Sequence, residues 1–478
     1  MNRLEKTVLS VWMAAAVAGC GTVRQAREVQ ARLAPRGAEQ RSGERLPPVV
    51  DLRGAPLRAL VEFALTNRPS MVSAALDVKD ARLALRQIAA DAPIASATPW
   101  NGADAAVTTS YSETSPKAKL DDLGHTRKGK ASAGLSVDLL VYDFGRNAAQ
   151  ARAQAEKVVA AEHALVREGY AVFNEVASGY FALLRNEALL EVARTNEVEY
   201  LEHLAQAEDR LSLGEAKEVD VLKARLDLAK ARQDLVAASN DVETAGADLM
   251  AAMGVDAASG TAATVVGPSR GGLARVLRAL PDSTDGVAAA YGFACTNAPA
   301  LRIARARLRA ASADVDYAVA DLLPQVSANV SLNWTDPLWY WNWGASAAQS
   351  LFTGGRRTTA VDRAVVALEA AAASVEREEQ DLSHSLALAV AERDNAAEAG
   401  RTARTSVHEA RENLALVKAQ YDLGDASRVE FADAVADLTR AYGDRIKAYY
   451  RGQIAEARLF ELTGSDPVYL MEEWLGED

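Results

Sequence analysis

The sequence predicts a mainly α-helical protein with a membrane β portion, built from a duplicated unit of helix, two strands and a long helical hairpin. Three observations favour this fold class: short landmarks recur in both halves, each half has a long proline-free window with a heptad pattern, and two alternating segments precede each window. Four strands cannot close a barrel in lipid. The full prediction is therefore a trimer whose twelve-stranded β-barrel continues into an α-helical barrel.

Composition and charge limit the classes of function. The 478 residues carry 53 Lys and Arg against 65 Asp and Glu, and the net charge of −12 argues against a nucleic-acid partner. Cys20 and Cys295 are too few for a disulfide framework or a Cys-rich metal site. No apolar run after residue 20 is long enough for a membrane-spanning helix, which argues against an inner-membrane pump.

Residues 1–20 have the features of a signal peptide. Arg3 and Lys6 precede a short apolar stretch, and the segment ends Val-Ala-Gly-Cys at Cys20. This ending resembles the lipobox of bacterial lipoproteins, and the resemblance implies a covalent lipid on Cys20 and, with Gly21, sorting to the outer membrane. The alternative is an ordinary secretory peptide with an incidental cysteine. No other cofactor is predicted.

Matching landmarks show that the chain is duplicated. They occur in the same order in both halves, as Asn-x-Pro at 67–69 and 297–299, Gly-Arg at 145–146 and 355–356, and a turn segment at 210–222 and 420–432. Repeat one holds twenty extra residues, which we place largely in the polar loop 112–130. The predicted organisation is a signal peptide at 1–20, a tether at 21–54, repeat one at 55–254, a linker at 255–285, repeat two at 286–465 and a C-terminal tail at 466–478.

A heptad pattern predicts a long helical hairpin at the end of each repeat. Steps of four and three residues place apolar or small side chains on one face, here called the seam, over Ala151–Leu211 and again over Val361–Tyr421. The polar exceptions are Glu162, Asn186, Glu197, Glu379 and Arg393. The hairpins are predicted at 147–253 and 356–463, with their turns at Leu213-Gly214 and Leu423-Gly424.

Two strands are predicted before each hairpin, at about 103–112 and 130–142 in repeat one and about 326–335 and 341–352 in repeat two. Apolar and small polar residues alternate in them, as expected of strands with one face in lipid. Trp334, Trp341 and Trp343 are placed like an aromatic girdle. A soluble β-sandwich is the alternative.

The lipobox, the duplicated unit, Asn-x-Pro, Gly-Arg and the Leu-Gly turns together resemble the TolC-like outer-membrane factor family, in particular its NodT-type lipoprotein branch. The resemblance implies a homotrimeric duct of a tripartite efflux or type I secretion system in the outer membrane of a Gram-negative bacterium, anchored by its lipid and extending into the periplasm. The implied partners are a periplasmic adaptor, an inner-membrane pump of the RND or ABC type and outer-membrane lipid. The tips Leu213, Gly214, Leu423 and Gly424 are then adaptor contacts.

The resemblance also implies a gate at the periplasmic end. The family's acidic and Tyr positions correspond here to Tyr421, Glu430 and Asp433, and in repeat one to Asp220. Two structural alternatives remain: Ser427 to Glu430 reads as a helix capping box, and Tyr421 is also the last seam residue.

In repeat one the second acidic position is Lys223, which departs from a doubled acidic ring. The position of the family's latching Arg is occupied by Ala426, which leaves nearby Arg428 as a candidate.

Enzymatic functions are not supported by any motif. The five histidines are scattered without an i, i+4 pair, and neither a phosphate-binding loop nor a nucleophile elbow occurs. No catalytic residue and no metal site are predicted. The main alternative to a duct is a lipid-anchored periplasmic coiled-coil adaptor or envelope spacer without a pore.

Overall fold

The computed structural model describes residues 57–91, 103–113, 129–214, 217–255, 286–335, 338–350, 352–423 and 425–464. The predicted lipidation site Cys20, the tip residue Gly424 and most of the linker and of the loop 112–130 lie outside these ranges. All described helices and strands belong to one contact unit.

Repeat one contains four helices and two strands. In chain order they are α1 (Leu57–Asn67), α2 (Pro69–Ala90), β1 (Ala103–Glu113), β2 (Gly129–Tyr142), α3 (Arg146–Ser212) and α4 (Glu218–Ala252). Helix α3 has 67 residues, which gives it a length of about 100 Å at 1.5 Å per residue. We call α3 and α4 hairpin one.

Repeat two has the same order of elements. They are α5 (Gly286–Asn297), α6 (Pro299–Ala320), β3 (Gln325–Thr335), β4 (Leu338–Ala348), α7 (Arg356–Leu423) and α8 (Arg428–Thr463). We call α7 and α8 hairpin two. The strand bounds explain where the extra residues of repeat one lie, because 15 residues separate β1 from β2 whereas 2 separate β3 from β4.

The seam is the packed face of both long helices. Every seam position of α3 and α7 is buried or half-buried except Val365, which is 39% exposed. The polar seam residues are all paired: Glu162 with Arg82 at 2.6 Å, Asn186 with the Asp241 carbonyl at 3.0 Å, Glu197 with Arg232 at 3.0 Å, Glu379 with Arg305 at 3.2 Å and Arg393 with Asp394 at 2.8 Å. Each interruption of the heptad pattern therefore satisfies its polar group with a neighbouring residue.

The Gly-Arg landmarks mark the start of each long helix. Gly145 and Gly355 have φ of 83° and 80°, the left-handed conformation that favours glycine. Arg146 then binds Asp321 at the end of α6 at 2.7 Å, and Arg357 binds the same carboxylate at 3.4 Å. Asp321 thus joins the beginnings of the two hairpins.

The Asn-x-Pro landmarks lie where the end of each repeat meets its own beginning. Pro69 and Pro299 begin α2 and α6, where a missing N–H costs nothing. A Cβ added to Gly254 would lie 3.2 Å from the Cα of Arg68, and one added to Gly464 only 2.6 Å from the carbonyl oxygen of Asn297. Each glycine permits a close approach that closes its repeat.

The four strands form one antiparallel sheet in the order β1-β2-β3-β4, so the two repeats are joined through β2 and β3. The fourth strand begins at Leu338, three residues before the predicted start at 341, because Trp339 and Tyr340 also pair with β3, opposite Trp334 and Asn333. It ends before Gln349, whose side chain donates to the Leu322 carbonyl at 3.1 Å.

Candidate functional site

The sheet has one apolar and one polar face. Its register places apolar residues of adjacent strands directly opposite one another, as in the row Val107, Leu135, Leu332 and Trp341 and the row Ala105, Val137, Val330 and Trp343. The alternation predicted separately for each strand is therefore continuous over all four.

The apolar face is exposed to a degree that water would disfavour. Trp341 and Trp343 are 68% and 72% exposed, and Leu135, Val330 and Leu332 are each more than 40% exposed. An apolar area of this kind marks a surface that contacts lipid or another protein.

The opposite face carries hydrogen-bonded polar side chains. Asn329 donates to Asp138 at 2.8 Å across β2 and β3, and Ser327 and Ser346 lie 3.0 Å apart across β3 and β4. Gly134 keeps this face open, because a Cβ there would lie 2.9 Å from Oδ1 of Asn333. The strands thus match the predicted lipid-facing and lumen-facing alternation.

The two hairpin tips use the same positions with different side chains. In hairpin one a small aliphatic cluster packs beneath the turn, formed by Leu204, Ala207, Leu211, Val221 and Ala224. In hairpin two the positions 210 residues later are occupied by Leu414, Val417, Tyr421, Phe431 and Ala434, the first four of which belong to one cluster. The second tip is therefore aromatic where the first is aliphatic.

Hairpin one contributes a histidine to the aromatic tip of hairpin two. His203 of α3 is 3% exposed, stacks on Phe431 with ring centroids 5.0 Å apart and lies 5.4 Å from the Tyr421 ring. Neither ring nitrogen has a hydrogen-bond partner among the described residues. Burial, helped by nearby Arg428, lowers the pKa of His203, so the packed ring is neutral at pH 7.

Two arginines connect the hairpins around this cluster. Arg428 at the start of α8 binds Asp227 of α4 at 2.6 Å, with side chains only 16% and 20% exposed. Arg210 at the end of α3 donates to the Tyr421 carbonyl at 2.9 Å, and its guanidinium lies 4.5 Å from the centroid of the Tyr421 ring. The candidate latch residue Arg428 therefore pairs with the other hairpin of the same chain.

Glu430 and Asp220 occupy equivalent capping positions, 210 residues apart. The Glu430 carboxylate accepts a hydrogen bond from the Ser427 N–H at 2.6 Å, and the Ser427 hydroxyl accepts one from the Glu430 N–H at 3.3 Å. These hydrogen bonds hold the pKa of Glu430 below its usual value. Asp220 accepts from the Lys217 N–H at 3.4 Å. The capping-box alternative thus describes the position of Glu430.

The remaining predicted tip residues have different environments. Tyr421 is buried in the aromatic cluster, which agrees with its alternative packing role. Asp433 is exposed, one turn along α8 from Glu430. Leu213 and Leu423 are 73% and 79% exposed at the turns, and Gly214 has a φ of 78°.

Sequence reasoning missed His203, Asp227 and Arg210. A signal was present, because the matching positions in the other repeat carry Asn413, Asp437 and Gln420, so two of these three positions break the internal symmetry. Asymmetry in a duplicated chain points to contacts made between the repeats.

Within the described residues, no His, Cys, Asp and Glu side chains cluster as metal ligands would. In the same part of the chain, no helix combines the length and hydropathy that a membrane-spanning helix requires.

The model of the outer membrane efflux protein family matches residues 60–255 and 291–465. These two segments correspond to the two repeats and cover more than half of the chain. A comparison with curated proteins finds no match in sequence.

Several solved structures share the fold. A structure of CusC, described in terms of folding and transmembrane channel formation, has a TM-score of 0.75 at 20% identity over 86% of this chain and 92% of that one. A membrane protein from Pseudomonas aeruginosa has a TM-score of 0.73 at 23% identity over 91% and 97%. The outer membrane protein VceC from Vibrio cholerae has a TM-score of 0.72 at 20% identity over 86% and 96%.

Proposed function

Because the chain belongs to the outer membrane efflux protein family, we propose that it is the outer-membrane duct of a tripartite efflux or secretion system. The observation that carries this proposal is the sheet, which exposes a continuous apolar face and leaves the edges of β1 and β4 unpaired within the chain. A duct conducts passively, so the energy comes from an inner-membrane pump of the RND or ABC type.

The unpaired edges support a homotrimer. A transmembrane sheet must be closed, because unpaired N–H and C=O groups are too costly in lipid. If β4 of one copy pairs with β1 of the next, three copies close a barrel of twelve strands. The polar face with Asn329 and Asp138 then lines the lumen, and the face with Trp341 and Trp343 contacts lipid.

Contacts between the hairpins support a closed periplasmic end. In each copy the Arg428–Asp227 ion pair and the Arg210–Tyr421 contacts hold the tip of hairpin two against hairpin one. We propose that the duct opens when these contacts break and hairpin two moves away. Asp433, which is exposed near the tip, is then the residue best placed to attract cations, whereas Glu430 acts chiefly as a helix cap.

The exposed turns support docking of a periplasmic adaptor. Leu213 and Leu423 project apolar side chains that the chain itself leaves uncovered. An adaptor that covers Leu213, Gly214, Leu423 and Gly424 would also be placed to act on the neighbouring inter-hairpin contacts. A lipid on Cys20 would add a second attachment to the outer membrane.

The proposal is tested by measuring the oligomeric mass and the conductance of one purified, lipidated preparation. We expect a trimer with small, cation-selective conductance in planar bilayers. A monomer or dimer that never inserts would contradict the duct and favour the alternative, a lipid-anchored coiled-coil adaptor or spacer. The same protein with Cys20→Ala separates the two attachments, since loss of the lipid should leave the conductance of inserted trimers unchanged.

A further inference from the structure

A groove lies between α7 and α8 in the middle of hairpin two. On its strand-proximal side, α5 and α6 cover the hairpin and pack on Leu386, Ala389 and Leu459. Beyond this cover the groove opens, with a volume of about 710 Å³. Its depth comes from small residues, chiefly Ala396, Ala397, Gly400, Ala448 and Gly452. A Cβ added to Gly400 would meet nothing within 4 Å.

The groove is basic and aromatic in a chain that is acidic overall. Four arginines line it, together with three tyrosines, namely Arg393, Arg401, Arg404, Arg445, Tyr442, Tyr449 and Tyr450. Glu456 is the one acidic residue among its described lining residues, and burial raises its pKa to about 7 despite nearby Arg393. The charge of the lining is therefore opposite in sign to the net charge of −12.

The basic charge of the groove is only partly used. Arg393 binds Asp394 at 2.8 Å, and Arg401 binds Glu398 at 3.2 Å on the same helix. Arg404 and Arg445 are exposed and form no ion pair with any described residue. An acidic ligand would therefore find two uncommitted guanidinium groups beside apolar and aromatic surface.

Charge distinguishes three longer segments of the chain that lie outside the described residues. The tether 21–54 has seven Arg against four acidic residues, and 256–285 has three Arg against three Asp. The tail 466–478 has five acidic residues and no Lys or Arg. The tail also contains apolar and aromatic residues that suit a groove lined by Ala and Tyr, namely Val468, Tyr469, Leu470, Met471, Trp474 and Leu475.

The tail is also close enough to reach the groove. It follows Gly464, whose φ of 66° ends α8 with a left-handed turn. Glu456 and Gln453 precede Gly464 on the same helix by about 12 and 17 Å, at 1.5 Å per residue. The thirteen residues of the tail span at most about 45 Å when extended.

We propose that the groove binds the tail of the same chain, with acidic tail side chains paired to Arg404 and Arg445. Such binding would fasten the end of α8 across both helices of hairpin two. The attachment lies between the cover formed by α5 and α6 and the aromatic tip, so it would resist sliding of α7 along α8. This inference does not depend on the proposed function, because it concerns a contact within one chain.

Disulfide trapping in the full-length protein tests the proposal. In a Cys295→Ala background, Ala397→Cys in the groove is combined with Tyr469→Cys in the tail, and the rate of oxidation is followed by peptide mass spectrometry. The control pair combines Tyr469→Cys with Ala370→Cys, an exposed α7 position at a similar distance from Gly464 on the strand side. We expect the groove pair to form an intrachain disulfide at least tenfold faster than the control pair.

Charge reversal gives the second readout. Arg404→Glu with Arg445→Glu should slow trapping about tenfold, and Glu472→Lys with Glu473→Lys in the tail should restore the rate. The matched control, Arg363→Glu with Arg377→Glu on exposed parts of α7, should leave it unchanged. Equal rates for both cysteine pairs, insensitivity to charge reversal, or a disulfide between chains would each overturn the proposal. The cysteine comparison keeps the native arginines, so it remains decisive if a charge-reversed variant fails to fold.

Discussion

The two hairpin tips have the same backbone plan but different chemistry. Hairpin one packs aliphatic side chains such as Leu211 and Val221, whereas the equivalent positions of hairpin two carry Tyr421 and Phe431. His203 of hairpin one completes the second cluster, and no described residue of hairpin two enters the first in the same way.

This difference separates what a hairpin needs in order to fold from what the gate needs. The aliphatic tip is sufficient to pack a helical turn, so the aromatic and charged residues of the second tip serve contacts between the hairpins. Arg428 and Asp227 make the same point, because the position equivalent to Arg428 is Glu218, which has the opposite charge. Duplication supplied the frame, and asymmetric substitution supplied the inter-hairpin contacts.

The largest expected effect compares the glycines that close the two repeats. Gly464→Ala should lower the free energy of unfolding by about 3 kcal/mol, because its Cβ would lie 2.6 Å from the Asn297 carbonyl oxygen at a φ of 66°. Gly254→Ala, with its nearest contact at 3.2 Å, should cost about 2 kcal/mol. Gly214→Ala is the control, since nothing lies within 4 Å of its Cβ, and should cost about 1 kcal/mol. Urea unfolding followed by helical circular dichroism measures all three, and equal costs would contradict the closer approach in repeat two.

The next effect removes the ion pair between the tips. Arg428→Ala leaves the half-buried Asp227 carboxylate without its partner, which should weaken the closed tip by about 2 kcal/mol. That corresponds to an open-to-closed ratio about 30-fold higher in single-channel records, at 1.4 kcal/mol per factor of ten. Arg232→Ala is the control, because its partner Glu197 belongs to the same hairpin. An equal response to both variants would mean that the contact between hairpins has no special role.

Acid should loosen the second tip. The pKa of His203 is lowered in the packed cluster, by burial and then by Arg428 and Arg210, with Asp227 opposing them. A lowered pKa means that the packed state binds fewer protons, so its stability is lost as pH falls from the ordinary value of 6.5 through the lowered pKa. Open probability measured between about pH 7.5 and 5 should rise on acidification.

His203→Phe keeps the stacked ring without the titratable group and should abolish this pH dependence. His163→Gln is the matched control, because the pKa of His163 is also lowered by burial but its ring lies in the middle of α3, far from the tips. A pH response that survives His203→Phe would assign the titration to another group.

The smallest effect distinguishes the two candidate gate carboxylates. Asp433→Asn should reduce cation selectivity about twofold, because the exposed side chain has no capping partner among the described residues. Glu430→Gln should instead cost about 1 kcal/mol of stability in α8, with little change in selectivity, and Asp220→Asn should do the same in α4. Reversal potentials in a salt gradient measure the selectivity. A larger selectivity change for Glu430→Gln than for Asp433→Asn would reverse the assignment.

The sequence predicted the features that repeat locally. A heptad pattern determines which face of α3 or α7 is buried, and strict alternation determines which residues of the four strands share a face, so both features could be identified without a structure. The start of β4 was placed three residues late, because Leu338-Trp339-Tyr340-Trp341 is apolar or aromatic throughout and hides the alternation there.

The contacts between the hairpins could not be predicted in the same way. Periodicity along α3 indicates that His203 lies next to the seam but not which other helix faces it. The pairing of Arg428 with Asp227 spans 201 residues and depends on the lateral packing of the two hairpins. The roles of Glu430 as a cap and of Tyr421 as a packed residue were recognisable, because both follow from near neighbours in the sequence.

The central claim is that attraction between hairpin one and hairpin two of the same chain keeps the duct closed. It is tested most directly by single-channel recording of Arg428→Asp, alone and together with Asp227→Arg. The account predicts that Arg428→Asp raises the open probability strongly, since it places two carboxylates together, and that the double charge exchange restores most of the closed state. A double variant as open as the single one would contradict the claim, as would a single variant that stays closed.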